Sequence, residues 1–167
     1  IYCSVSAYGQ TGPNASRPGF DAIAMASSGL MDLTGEPDGP PMRTTYMLSD
    51  YTTSYFGFGA ISAALFHRER TGSGTHIDLS MQDCLVSMNS ALDNYLFDGV
   101  EYTRTGQHSP RVAPFGVFKH PKGYVVLCCG NDNLWEKLVD LMGREALRED
   151  IRMKNYVTRA QNISYTK

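Results

Sequence analysis

The chain has 167 residues, 15 Lys+Arg against 17 Asp+Glu, with 42% hydrophobic and 19% charged residues, the profile of an ordinary globular chain that folds as about one domain and buries ~70% of the surface it exposes when unfolded. A formal net charge of -2 excludes the excess of Lys and Arg through which nucleic acid or an anionic membrane is held, so neither is expected as a partner. No apolar run approaches the ~20 residues that cross a bilayer, and the first residues lack the charged-then-apolar order of a secretory leader, so a cytoplasmic chain is expected.

Residues 1–6 alternate apolar and small polar side chains as a strand does. A strand that begins at the first residue predicts a fragment. Glycines and prolines make 8–19 a loop, and 20–31 has the apolar and small content of a buried helix. Residues 34–41 carry three prolines and two glycines, which forbid a helix or an internal strand. A buried helix is predicted over 51–70, its cationic end His67-Arg68-Glu69-Arg70 complementing the dipole and its stop at 71–74. Gly57 and Gly59 are expected to admit a second backbone.

Residues 76–80 alternate as a half-exposed strand, and Ser80-Met81-Gln82-Asp83 resembles an acidic capping box opening a helix to about Leu96. A linker is placed at 99–114. Beyond it, 115–118 and 124–129 read as a hairpin. Asn131 or Asn133 caps a helix through Trp135, Leu138, Val139 and Met142, stopped by Gly143. Asn155 opens a last helix toward Lys167. The fold class is α/β.

Cys3, Cys84, Cys128 and Cys129 form no C-x-x-C pair and are expected to be reduced. His67, His76, His108 and His120 show no ligand spacing, so no metal is expected. G-x-S-x-G and the glycine-rich phosphate loops are missing from the sequence. His108 is the histidine in a polar loop suited to closing over a site. Asp50 stands out because it follows the apolar pair Met47-Leu48 and directly precedes the long apolar helix. A carboxylate there meets the positive end of the dipole as a standing anion, and spacing alone leaves a helix cap and a catalytic group both open. Asp38 lies in a turn whose chemistry explains it. Asp21 begins an apolar helix and is equally a first-turn acid or a functional one.

Taken in order, Tyr8-Gly9-Gln10-Thr11-Gly12-Pro13, Arg17-Pro18-Gly19-Phe20-Asp21, Ser28-Gly29-Leu30-Met31, Thr34-Gly35-Glu36-Pro37-Asp38-Gly39-Pro40-Pro41, Asp50-Tyr51-Thr52-Thr53, His67-Arg68-Glu69-Arg70-Thr71-Gly72-Ser73-Gly74 and Asp78-Leu79-Ser80-Met81-Gln82-Asp83 closely resemble the family III CoA-transferases, the formyl-CoA and carnitine CoA-transferase group. The likeness is strongest over 1–84 and weaker over 106–143. It implies a fragment of an interlocked fold: the end of a large α/β domain at 1–98, the linker at 99–114 and part of a small α+β domain at 115–167. Family members are longer, and the part preceding Ile1 would hold much of the CoA. Full members form interlocked homodimers.

The resemblance implies that Asp50 is the nucleophile of a CoA transfer from an acyl-CoA to a carboxylic acid, through aspartyl anhydride and aspartyl-CoA thioester intermediates. Phe20 takes the place of an aromatic near CoA that is usually Tyr, Asp21 that of a neighbouring acid, and Met81 that of a methionine beside CoA. Arg17 adjoins a position, here Pro18, that is basic in some members. The glycine-rich loop of formyl-CoA transferases would fall near Ser109-Pro110-Arg111-Val112, which has no glycine. The α-methylacyl-CoA racemases are similar around Asp50 but carry His in place of Phe20, which exchanges no proton. A racemase-like enzyme is therefore one alternative, and a non-catalytic CoA-binding or assembly module with Asp50 as a cap is another.

Overall fold

Alternation at the start of the chain builds β1 (Tyr2–Ser6), which pairs in parallel with β2 (His76–Ser80) in a register running from Tyr2 opposite His76 to Ser6 opposite Ser80. The computed structural model describes residues 1–163, and the chain divides into two units, Ile1–Arg104 and Thr105–Lys167. Successive side chains of a strand point to opposite faces. Tyr2, Ser4, His76 and Asp78 therefore share one face, where Ser4 Oγ lies 2.9 Å from His76 Nε2. On the same face Asp78 accepts the Gln10 N–H at 2.8 Å, tying down the loop that leaves β1. Cys3, Val5, Ile77 and Leu79 occupy the other face.

That second face meets the long helix. A Cβ on Gly57 would stand 3.1 Å from Leu79 Cδ1, whereas one on Gly59 would meet nothing within 4 Å. Close approach at Gly57 is thus to a side chain, and Gly59 serves no such contact. The first helix, α1 (Asp21–Ser27), is shorter than the predicted 20–31. Gly29 adopts φ +80, a left-handed conformation that ends the helix, and turns carry the chain onward. Ser28 Oγ donates to Met25 O at 3.0 Å and Thr34 Oγ1 to Leu30 O at 2.8 Å.

The long helix, α2 (Leu48–Thr71), starts before the predicted 51 and stops at Gly72, whose φ of +72 directs its N–H to Arg68 O at 2.8 Å. It is not the buried helix the sequence predicts. Tyr55, Phe58 and Phe66 are 76%, 75% and 64% exposed, because within the first unit only part of its circumference meets other elements. Next, α3 (Met81–Val86) and α4 (Ser90–Asp98) replace the single helix expected to run from Ser80 to Leu96. Asn89 breaks it: its Oδ1 accepts the Leu92 N–H and caps α4, while its Nδ2 donates to Ser28 O at 3.0 Å. Ala24, Met25, Met81 and Leu85 form the buried core, with Leu30, Met31 and Leu48 packed against it. Helices α1 and α3 meet the start of α2 there.

The second unit opens on β3 (Phe115–His120) and β4 (Gly123–Cys128), antiparallel about Pro121 and Lys122. Asn131 caps α5 (Asp132–Met142), and Gly143, at φ +62, ends it. Two 3-10 turns, Glu145–Arg148 and Ile151–Met153, lead to α6 (Tyr156–Gln161), where Asn155 and Thr158 form a reciprocal capping box. The last helix predicted from Asn155 ends at Gln161, and 164–167 lie outside the described residues. Trp135, Val139 and Met153 make this unit's core. Arg159, fully buried, donates to Ala113 O, Met153 O and Asp132 Oδ1 and lies 4.9 Å over the Trp135 ring.

Candidate active site

Asp50 is the third residue of α2. It therefore lies inside the first turn and does not precede the helix, and it is not the cap. The residue before the helix, Met47, offers no side-chain hydrogen bond. An acceptor comes instead from Asp21, whose Oδ1 takes the Ser49 N–H at 2.8 Å and the Ser49 hydroxyl at 3.0 Å. Asp21 is 8% exposed and Ser49 fully buried, whereas Asp50 itself is exposed. Two adjacent carboxylates thus serve different ends. One is consumed in closing the helix and the other is left open.

Asp50 opens onto a cleft of about 450 Å³ lined by Cys3, Val5, Thr53, Ser54, Gly57 and Met81, with Phe58 and Ile61 further along. Asp50, Thr53, Ser54, Gly57, Phe58 and Ile61 recur at helical spacing and form one stripe of α2. Cys3 and Val5 come from the apolar face of β1. Met81, 7% exposed at the start of α3, closes the floor. The lining is mainly apolar, with the carboxylate at one end.

Cys3 lines this cleft as a free thiol, while Ser54 and Cys84, two other nucleophiles at or beside it, are engaged or suppressed. Ser54 Oγ donates to the Asp50 backbone carbonyl at 2.8 Å. Burial pushes the Cys84 thiol up from its ordinary value, the Thr53 side chain opposing this through a hydrogen bond and the Asp83 charge adding to it. The thiolate is the reactive form of cysteine, so Cys84 is held in the inert one. Among the described residues no group of three or more His, Cys, Asp or Glu is placed to hold a metal ion, and no helix is long and apolar enough to cross a membrane.

Of the residues singled out from the sequence, Asp50 and Met81 line the same cleft, whereas Asp21 is not among its lining residues and is bonded to Ser49, the residue next to Asp50. Phe20 is 83% exposed at the residue before α1 and is not among the lining residues. Arg17 is exposed too, its guanidinium directed to Asn14 Oδ1 at 3.3 Å. His108 belongs to the second unit, where its ring packs edge-on at 4.9 Å against Phe118. Sequence reasoning missed Ser49, Thr53, Ser54 and Gly57. The helical spacing from Asp50 was a legible signal for the last three, but the contribution of β1 had none.

A family model described as CoA-transferase family III matches residues 1–166. The acetyl-CoA:oxalate CoA-transferase of Acetobacter aceti is 44% identical over 165 residues, spanning 97% of this chain and 42% of that protein. The succinate–glutarate CoA-transferase of Agrobacterium fabrum is 37% identical over 99% of this chain and 41% of its own length. A crystal structure of a CAIB/BAIF family protein from Brucella suis superposes with a TM-score of 0.82 at 37% identity, covering 99% of this chain and 44% of that one. The chain spans about two fifths of the length of these relatives.

Proposed function

The chain belongs to CoA-transferase family III, and from that premise we propose that its parent protein moves CoA from an acyl-CoA donor to a carboxylic acid acceptor, with Asp50 as the nucleophile. The observation that carries the reading is the placement of Asp50: an exposed carboxylate in the first turn of α2, at the mouth of a cleft whose floor is Met81. The start of a helix is where a negative charge is best accommodated. A carboxylate at that position suits attack on a thioester carbonyl.

The proposed sequence conserves acyl-transfer potential at each step. The Asp50 carboxylate attacks the donor thioester carbonyl, forming a mixed anhydride as the C–S bond breaks and the CoA thiolate leaves. The thiolate attacks the aspartyl carbonyl of the anhydride, giving an aspartyl-CoA thioester and releasing the donor acid as its carboxylate. The acceptor carboxylate then attacks that thioester, forming a second anhydride and freeing the thiolate again. Attack of the thiolate on the acceptor carbonyl yields the new acyl-CoA and restores Asp50.

Relatives named for oxalate and for glutarate favour a short dicarboxylate as the acceptor. The resemblance further supports an interlocked homodimer, and the apolar side chains that α2 leaves uncovered suit a larger assembly. The test uses protein expressed from the complete reading frame, incubated with a panel of acyl-CoAs and hydroxylamine beside Asp50→Asn. A hydroxamate on the Asp50 peptide, absent from the variant, is the expected result. CoA binding without any adduct would leave a racemase-like enzyme or a CoA-binding module.

A further inference from the structure

Among the described residues, four α-helices carry a side-chain cap from the residue directly before them, whereas α1 and α2 do not. Ser80, Asn89, Asn131 and Asn155, each directly before its helix, accept a first-turn N–H in α3, α4, α5 and α6. The long helix that presents Asp50 does not: Met47 caps nothing, and the acceptor for Ser49 is the buried carboxylate of Asp21 from 28 residues away. A single oxygen takes both donors of Ser49, which fixes the residue beside Asp50 in position and angle.

We propose that Asp21 is a positioning residue, whose buried carboxylate docks the start of α2 onto the start of α1 through Ser49 and so holds the Asp50 carboxylate in its direction of attack. The inference rests on Asp50 being the reacting carboxylate. The first-turn N–H groups of a helix have no partner within it, so without an acceptor this turn frays and Asp50, one residue on, moves with it. Covalent catalysis depends on that direction, since misplacement of a reacting group by about 1 Å costs on the order of 100-fold in rate. Asp21 acts here as a hydrogen-bond acceptor. A neutral acceptor of the same shape therefore retains the function, and a methyl group does not.

The test compares Asp21→Asn, Asp21→Ala and Ser49→Ala in the complete protein by steady-state kinetics, by the rate of hydroxamate formation at Asp50 and by hydrogen exchange of the Ser49 and Asp50 amides. Asp21→Ala is expected to lower kcat about 10- to 100-fold with KM for acyl-CoA little changed and exchange accelerated at both amides, whereas Asp21→Asn stays within about fivefold of the parent. Ser49→Ala, which keeps the N–H bond, falls between them. Asp21→Asn as damaging as Asp21→Ala, with an altered pH profile, would overturn the proposal by showing that the charge acts on the reacting atoms. So would an Asp21→Ala enzyme with parental rates. Absence of the adduct from the parent protein is a separate result: it removes the nucleophile reading, and the catalytic purpose of the cap goes with it.

Discussion

Ser49 gives both its backbone N–H, at 2.8 Å, and its hydroxyl, at 3.0 Å, to one carboxylate oxygen of Asp21. Ser49 has no solvent exposure, so water cannot replace that oxygen. Truncating Asp21 to Ala is expected to destabilise the fold by about 2–3 kcal/mol, the cost of leaving buried donors unmet, while Asp21→Asn costs about 1 kcal/mol. Urea denaturation midpoints at constant m-value measure the difference.

The open neighbour of that pair makes the opposite prediction. Asp50 is exposed and caps nothing, so Asp50→Asn is expected to leave stability within about 0.5 kcal/mol of the parent. Under the proposed chemistry the same change lowers kcat by at least about 1,000-fold, as loss of a nucleophile does. Retained acyl-CoA binding, measured by calorimetry, separates a chemical defect from a binding one.

In the second unit the decisive residue is Arg159. It is fully buried, satisfies two backbone carbonyls and Asp132, and covers the Trp135 ring. Arg159→Met keeps much of the volume but strands the Ala113 and Met153 carbonyls. A loss of about 3–4 kcal/mol is expected. Thermal unfolding followed by Trp135 fluorescence reads it directly, since Trp135 is the protein's single tryptophan.

The hydrogen bonds that Asp150 accepts from the Arg152 side chain, aided by the Arg152 backbone N–H, lower the Asp150 carboxyl from its ordinary value to about 2. A folded value below the unfolded one means that the bridge contributes above the unfolded value of 3.8 and is lost as pH falls through about 2. NMR titration of the Asp150 carboxyl should give a midpoint near 2 in the parent and an upward shift in Arg152→Leu. A parental midpoint near the ordinary carboxylate value would show the bridge to be unimportant in solution.

Thiol chemistry follows burial. Cys128 is exposed, while Cys84 and Cys129 are buried and both have thiols raised from the ordinary value, chiefly by burial. Alkylation at neutral pH, followed by peptide mass spectrometry, is expected to label Cys128 first. Early modification of Cys84 would show that its pocket opens in solution.

Much of this architecture was legible in neighbouring residues. The alternation at 2–6 and 76–80, the breakers at 71–74, the cap at Asn155 and the stop at Gly143 are all local signals. Asp50 too was singled out from its place at the start of an apolar segment, although it lies inside α2 and does not precede it. What misled was the reading of apolar content as burial along α2: Tyr55 and Phe58 are packed by nothing in the first unit that would cover them. The single helix expected across Asn89 failed for a related reason. Its amide is divided between a cap and the Ser28 carbonyl 61 residues away, and no local window contains that carbonyl.

By itself, then, the sequence determined the strands of both pairs and several helix caps and stops, because capping bonds span three or four residues and alternation is carried within each segment. Only the tertiary structure decided that Asp21 caps the helix of Asp50, that β1 and Met81 complete the cleft, and that Phe20 and Arg17 stand apart from its lining. Those relationships join residues 28 or more positions apart. They depend on how the chain is routed between elements, and a hydrogen bond of a given energy leaves no mark in the sequence around either partner.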